Sequence, residues 1–94
     1  MPDIRIARPH ALPVSRAKAA AQAAADELAR EYSVVSEWRG DTLHFRRNGV
    51  LGRIEVSPSQ IALEIELGLL FKGFRRSIEQ SVQRRLDQVL APSG

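Results

Sequence analysis

Residues 38–67 read WRGDTLHFRRNGVLGRIEVSPSQIALEIEL. Apolar and polar residues alternate through this stretch, which is the mark of half-buried strands. Three turn signals interrupt it: Gly40-Asp41, Asn48-Gly49 and Ser57-Pro58-Ser59-Gln60. Together with the preceding YSVVSEWR at 32–39, the stretch predicts four antiparallel strands over 33–39, 42–47, 50–56 and 60–68.

The turns set the registers. Glycine at the first central position suits a type II′ turn at Gly40-Asp41, and Asn48-Gly49 suits type I′, where both residues take positive φ. The first hairpin then pairs Arg39 with Thr42, Trp38 with Leu43 and Ser36 with Phe45. The second pairs Phe45 with Gly52 and Leu43 with Ile54. The four-residue loop pairs Val56 with Ile61, Ile54 with Leu63 and Gly52 with Ile65. All these pairs agree on one apolar face. A slip of one residue would set apolar residues opposite charged ones, so the registers are strongly specified.

The opposite face carries its own rows. His44, Arg53 and Glu64 align in one, and Thr42, Glu55 and Ala62 in the next, with Leu51 and Glu66 beside Arg46. The plain reading is a solvated face of cross-strand charge pairs, each worth about 0.2–1 kcal/mol. The functional reading is a polar recognition patch centred on His44, Arg53 and Glu64.

Outward from the meander, Ile4 and Ile6 alternate with Arg5 in a short strand over 3–7, which Arg8-Pro9-His10 is expected to break. A helix follows over 14–31, with Ser15 as its N-cap and a stripe of Ala17, Ala21, Ala24, Leu28 and Tyr32. Methyl groups dominate that stripe, so the helix can approach its partner closely. After Gly68, a second helix is predicted over 69–90, with the stripe Leu70, Phe74, Ile78, Val82, Leu86 and Val89, stopped by Pro92.

The assembled expectation is one domain, 1–94, of the α+β class: a two-layer sandwich in the order β-α-β-β-β-β-α. Its antiparallel five-stranded sheet has the order 2-3-4-5-1, with both helices on one face and the other face open. The long final helix along an antiparallel sheet resembles a small helix-grip fold.

Composition narrows the chemistry. The chain has 94 residues, 44% hydrophobic and 27% charged, as in an ordinary globular domain. No cysteine is present, which excludes disulfides, thiolate metal sites and cysteine nucleophiles. His10 and His44 are the two histidines, and neither lies among nucleophiles or convergent carboxylates beyond the Glu64 row. An enzyme, a metal site and a cofactor are therefore not expected. Fourteen basic residues against eleven acidic give a net charge of +3. Arg75-Arg76 and Arg84-Arg85 make one helix face locally positive, but exposed aromatic stacking groups are missing from the strands, so nucleic acid is not the expected partner. No leader-like apolar region opens the chain and no run approaches the roughly 18 apolar residues of a membrane span, so a cytoplasmic location is expected.

DIRI-ARPH at the start, WRGDTLHFRRNGVLGRIEV at 38–56 and IALEIELGLLFKGFRRSIEQSVQRRLDQVL at 61–90 resemble the polyhydroxyalkanoic acid system proteins. These are small bacterial proteins of polyhydroxyalkanoate granule gene regions. The most specific segments are GDTLHF at 40–45, GRIEV at 52–56 and LEIELG at 63–68. The resemblance implies a role beside storage-polyester metabolism and brings no catalytic residues with it. It leads to a non-catalytic accessory protein that binds the granule or granule-associated proteins, with a homodimer conceivable through the second strand. The candidate surfaces are the row of His44, Arg53 and Glu64 and the basic start of the last helix at Arg75 and Arg76. The alternative is a binding module for an apolar or acyl ligand between sheet and helices. Trp38, Phe45, Phe71 and Phe74 would line its pocket, with Gly52 and Gly73 making room.

Overall fold

In the computed structural model, which describes residues 2–90, the chain forms β1 (Ile4–Pro9), α1 (Val14–Tyr32), β2 (Val35–Arg39), β3 (Thr42–Arg47), β4 (Val50–Val56), β5 (Gln60–Leu67), a 3-10 segment (Leu69–Phe74) and α2 (Arg75–Leu90). The sheet order is β1-β5-β4-β3-β2, antiparallel throughout, so the expected α+β architecture is the observed one. Every register derived from the turns is present, including Trp38 opposite Leu43, Phe45 opposite Gly52 and Ile54 opposite Leu63.

One face of the sheet is fully consumed by the core. Ile4, Leu43, Phe45, Ile54, Leu63 and Ile65 are each at most 1% exposed, beneath both helices. The methyl stripe of α1 packs tightly: Ala17, Ala21, Ala24 and Ala25 are wholly buried. α2 lies mainly against α1 and reaches the sheet at β1. Polar bridges secure this layer at its margins. Arg8 donates to Gln83 at 2.7 Å and pairs with Asp87 at 2.5 Å, and the Ser81 hydroxyl donates to Glu31 at 3.1 Å.

Five local expectations are corrected. β1 continues through Pro9, paired with Gln60, because it is an edge strand and the missing N–H of proline costs an edge no ladder bond. The N-cap of α1 is Pro13, whose carbonyl accepts from Arg16 and Ala17, and Ser15 lies inside the helix. Ser33 ends that helix in the left-handed region at φ 61°, leaving Val35 as the start of β2. At Asn48-Gly49 only Gly49 has positive φ (+90°), so the turn is not type I′. At Gly40-Asp41 only Gly40 does, as type II′ requires.

The fifth correction is the largest. Residues 69–90 do not form one helix, since 69–74 are 3-10 and the α-helix begins at Arg75. Leu70 and Phe74 therefore leave the core stripe, at 87% and 49% exposure. Two tertiary contacts and one local 3-10 bond hold the segment in this form. The Gly68 N–H donates to the Gly49 carbonyl, the Phe71 N–H donates to the Gly68 carbonyl, and Lys72 pairs with Asp3. The stop expected of Pro92 lies outside the described residues.

Candidate functional site

The open face of the sheet is crossed by one continuous row of charge. Arg5, Glu64, Arg53, His44 and Glu37 occupy paired positions on β1, β5, β4, β3 and β2, so the row spans all five strands. Glu64 stands between two arginines. Arg53 donates to its Oε1 from Nη2 at 2.8 Å and from Nε at 3.1 Å, and Arg5 approaches Oε2 at 3.2 Å. A second carboxylate, Glu55, lies 3.5 Å from Arg53 Nε. The Arg53 hydrogen bonds hold the Glu64 carboxyl below the usual carboxylate range, and Glu64 raises Arg53 in return.

Around this row the sheet is shallowly concave. A depression of about 420 Å³ is lined by His44, Leu51, Arg53, Glu64 and Glu66 together with Pro2. A neighbouring one of about 490 Å³ runs toward the β2 edge past Val35, Glu37 and Arg46. Leu51 and Val35 are exposed on this face at 57% and 70%. Two apolar side chains flanking this row can grip a partner surface. Its Arg5–Glu64–Arg53 part holds its geometry without a ligand, because Glu64 is paired on both sides.

Arg75 and Arg76 are both exposed at the start of α2, and Arg75 lines a depression with Arg5, the β1 end of the row, and Glu79. They continue directly from the 3-10 segment, whose Leu69, Leu70 and Phe74 are exposed. This apolar lip was not anticipated, because helical periodicity assigned Leu70 and Phe74 to the core. The signal available was the run Leu69-Leu70-Phe71 between Gly68 and Gly73, since three consecutive apolar residues point around a helix and no single stripe buries them all.

The four aromatic residues do not gather around one space. Phe45 is wholly buried, and Gly52 makes room for the Phe45 ring itself, while a Cβ at Gly73 would meet nothing within 4 Å. The Trp38 indole donates to Gln22 at 2.8 Å and lies under Lys18. Phe71 contacts Phe74, and Phe74 contacts Tyr32, ten residues further along α1 than Gln22, or about 15 Å at the helical rise. Among the described residues there is no group of three or more His, Cys, Asp or Glu side chains that could hold a metal ion. No helix is long and apolar enough to cross a membrane.

A family model described as "Putative polyhydroxyalkanoic acid system protein" matches residues 4–90. The chain belongs to this family. The match runs from the first residue of β1 to the last of α2, so both the open sheet face and the 3-10 lip fall within it. No curated protein and no solved structure matches the chain.

Proposed function

We propose that this protein is a non-catalytic accessory component of bacterial polyhydroxyalkanoate storage, acting in the cytoplasm at the granule by binding granule-associated proteins through the open face of its sheet. The observation that carries this reading is the asymmetry of the sheet. One face is spent on the core, whereas the other displays an ordered charge row flanked by Leu51 and Val35, beneath no helix. Family membership supplies the setting. An edge-to-edge homodimer through β2 is compatible with the same face remaining available, since β2 pairs only with β3.

The test is affinity recovery from cells making the polyester, comparing the wild-type chain with Arg53→Ala and Leu51→Asp. Wild type is expected to recover proteins of the granule, and both variants to lose them while still unfolding in one cooperative transition, with Arg53→Ala melting somewhat lower because Glu64 loses its main partner. Recovery of the same proteins by both variants would refute the assignment of this face.

A further inference from the structure

The sheet ends in two edges of different character. At the β1 edge, the His10 N–H donates to the Ser59 carbonyl at 3.0 Å, so by alternation Pro9 turns to the free side, where it offers no donor. β2 is the last strand at the other end. Across the β3–β4 ladder the Val56 N–H donates to the Asp41 carbonyl at 2.9 Å. Alternation along β3 then turns the backbone groups of Thr42, His44 and Arg46 toward β2, where they meet Arg39, Glu37 and Val35. The N–H and C=O groups of Ser36 and Trp38 are left on the free edge, as a template for one more strand.

The side chains along this edge say which strand fits. Glu37 and Arg39 project from the open face, 69% and 71% exposed, and approach each other at 3.5 Å. Between them Trp38 lies half-buried on the helix side, its indole N–H donated to Gln22 and Lys18 above its ring. The order acid, aromatic, base is its own complement in an antiparallel pairing. A two-fold axis at Trp38 sets Glu37 opposite Arg39 of the second copy and Arg39 opposite its Glu37. It also makes the two Trp38 residues a backbone-bonded pair, with their rings side by side. The Lys18 charges above those rings do not oppose this, since each is held by Asp41 at 2.7 Å. An axis at Glu37 would set that carboxylate opposite itself, and like charges directly opposed are destabilising. An axis at Ser36 would set Glu37 opposite Val35 and leave Arg39 outside the pairing.

We propose that β2 is a homodimer interface: two copies pair antiparallel, edge to edge about Trp38, with Glu37 and Arg39 each facing the other residue of the second copy. Two five-stranded sheets become one of ten. The β1 strands then form both outer edges, and Pro9 blunts them, so the assembly closes at two. The axis runs normal to the sheet, so both open faces lie on one side and can meet a common surface. The dimer itself does not depend on the granule role.

Purified full-length protein is followed by sedimentation velocity over about a hundredfold range of concentration, together with the emission of Trp38, the one tryptophan. Wild type is expected to pass from monomer to dimer, with the emission moving in step. Glu37→Arg and Arg39→Glu are each expected to weaken the dimer about tenfold or more, and Glu37→Arg/Arg39→Glu to restore most of the loss. Glu37→Gln is expected to weaken it several-fold. Ser36→Pro removes an outward N–H and leaves the β2–β3 ladder intact, so it is expected to abolish the dimer and keep the fold. The proposal falls if wild type stays monomeric throughout, or if folded Ser36→Pro still dimerises. It falls equally if the double swap is as weak as the single ones. A tighter dimer in Glu37→Gln would place the two Glu37 residues opposite each other and overturn the axis at Trp38. A dimer lost in Leu69→Ser/Leu70→Ser but kept in both single swaps would place the interface on the 3-10 lip and overturn the proposal as well.

Discussion

The Phe45 ring lies directly across the β3–β4 ladder over Gly52, so close that a Cβ at position 52 would fall 2.3 Å from its Cζ. Phe45 is wholly buried and has no room to swing aside. Gly52→Ala is therefore expected to destabilise the fold by about 1–3 kcal/mol through overpacking. Phe45→Leu alone costs volume, but in combination it should relieve much of the Gly52→Ala penalty. Denaturant unfolding of the two singles and the double measures this coupling. Strict additivity would show that the ring and the glycine are not in contact.

Acid sensitivity should centre on two carboxylates. The Arg53 hydrogen bonds lower Glu64, and the Leu67 backbone N–H, followed by Lys72, lowers Asp3. A carboxylate lowered by folding adds stability that is complete above its unfolded value and is lost as pH falls through its folded value. Melting temperature should accordingly hold from neutrality to about pH 5 and then decline. Glu64→Gln and Asp3→Asn should each flatten part of that decline. An unaltered profile in both variants would remove these two groups from the account.

Gly49 combines φ +90° with the Phe71 ring 2.8 Å from where its Cβ would be. Gly49→Ala should therefore cost about 1–3 kcal/mol and release the 3-10 segment before the rest of the fold. Hydrogen exchange at the Gly68 and Phe71 amides reads this locally, and it should accelerate there while the amides of β5 stay protected.

Ser33 closes α1 at φ 61°, donating its N–H to the Ala29 carbonyl at 2.9 Å. Glycine adopts that conformation without steric cost, so Ser33→Gly should stabilise by about 0.5–1 kcal/mol, read as a higher denaturation midpoint. A loss of stability would mean that the serine side chain contributes more than its backbone strain removes.

The meander was legible because its information is local. Turns of two and four residues set the registers, and alternation of period two says which face each residue joins. His44, Arg53 and Glu64 accordingly fall in one row on this local information alone. Arg5 and Glu37 complete that row only through the β1–β5 and β2–β3 pairings, and the contribution of Arg5 depends on a strand 59 positions from Glu64 in the chain. The helix from 69 was misread at its start because Leu70 and Phe74 continue a valid 3.6-residue period. Nothing within the segment reveals that Gly49, some twenty residues earlier, captures the Gly68 N–H and holds the backbone in a tighter turn.

Sequence alone determined the class of the fold, the strand registers, the core face and the central charged row, because each follows from short-range periodicity and turn chemistry. Tertiary structure decided how the ends of elements behave: a strand running through Pro9, a helix closing on Ser33, and a 3-10 lip holding two leucines in water. Those outcomes depend on which distant backbone groups and ring faces are close enough to satisfy a hydrogen bond or fill a gap. Period and propensity carry no record of that proximity.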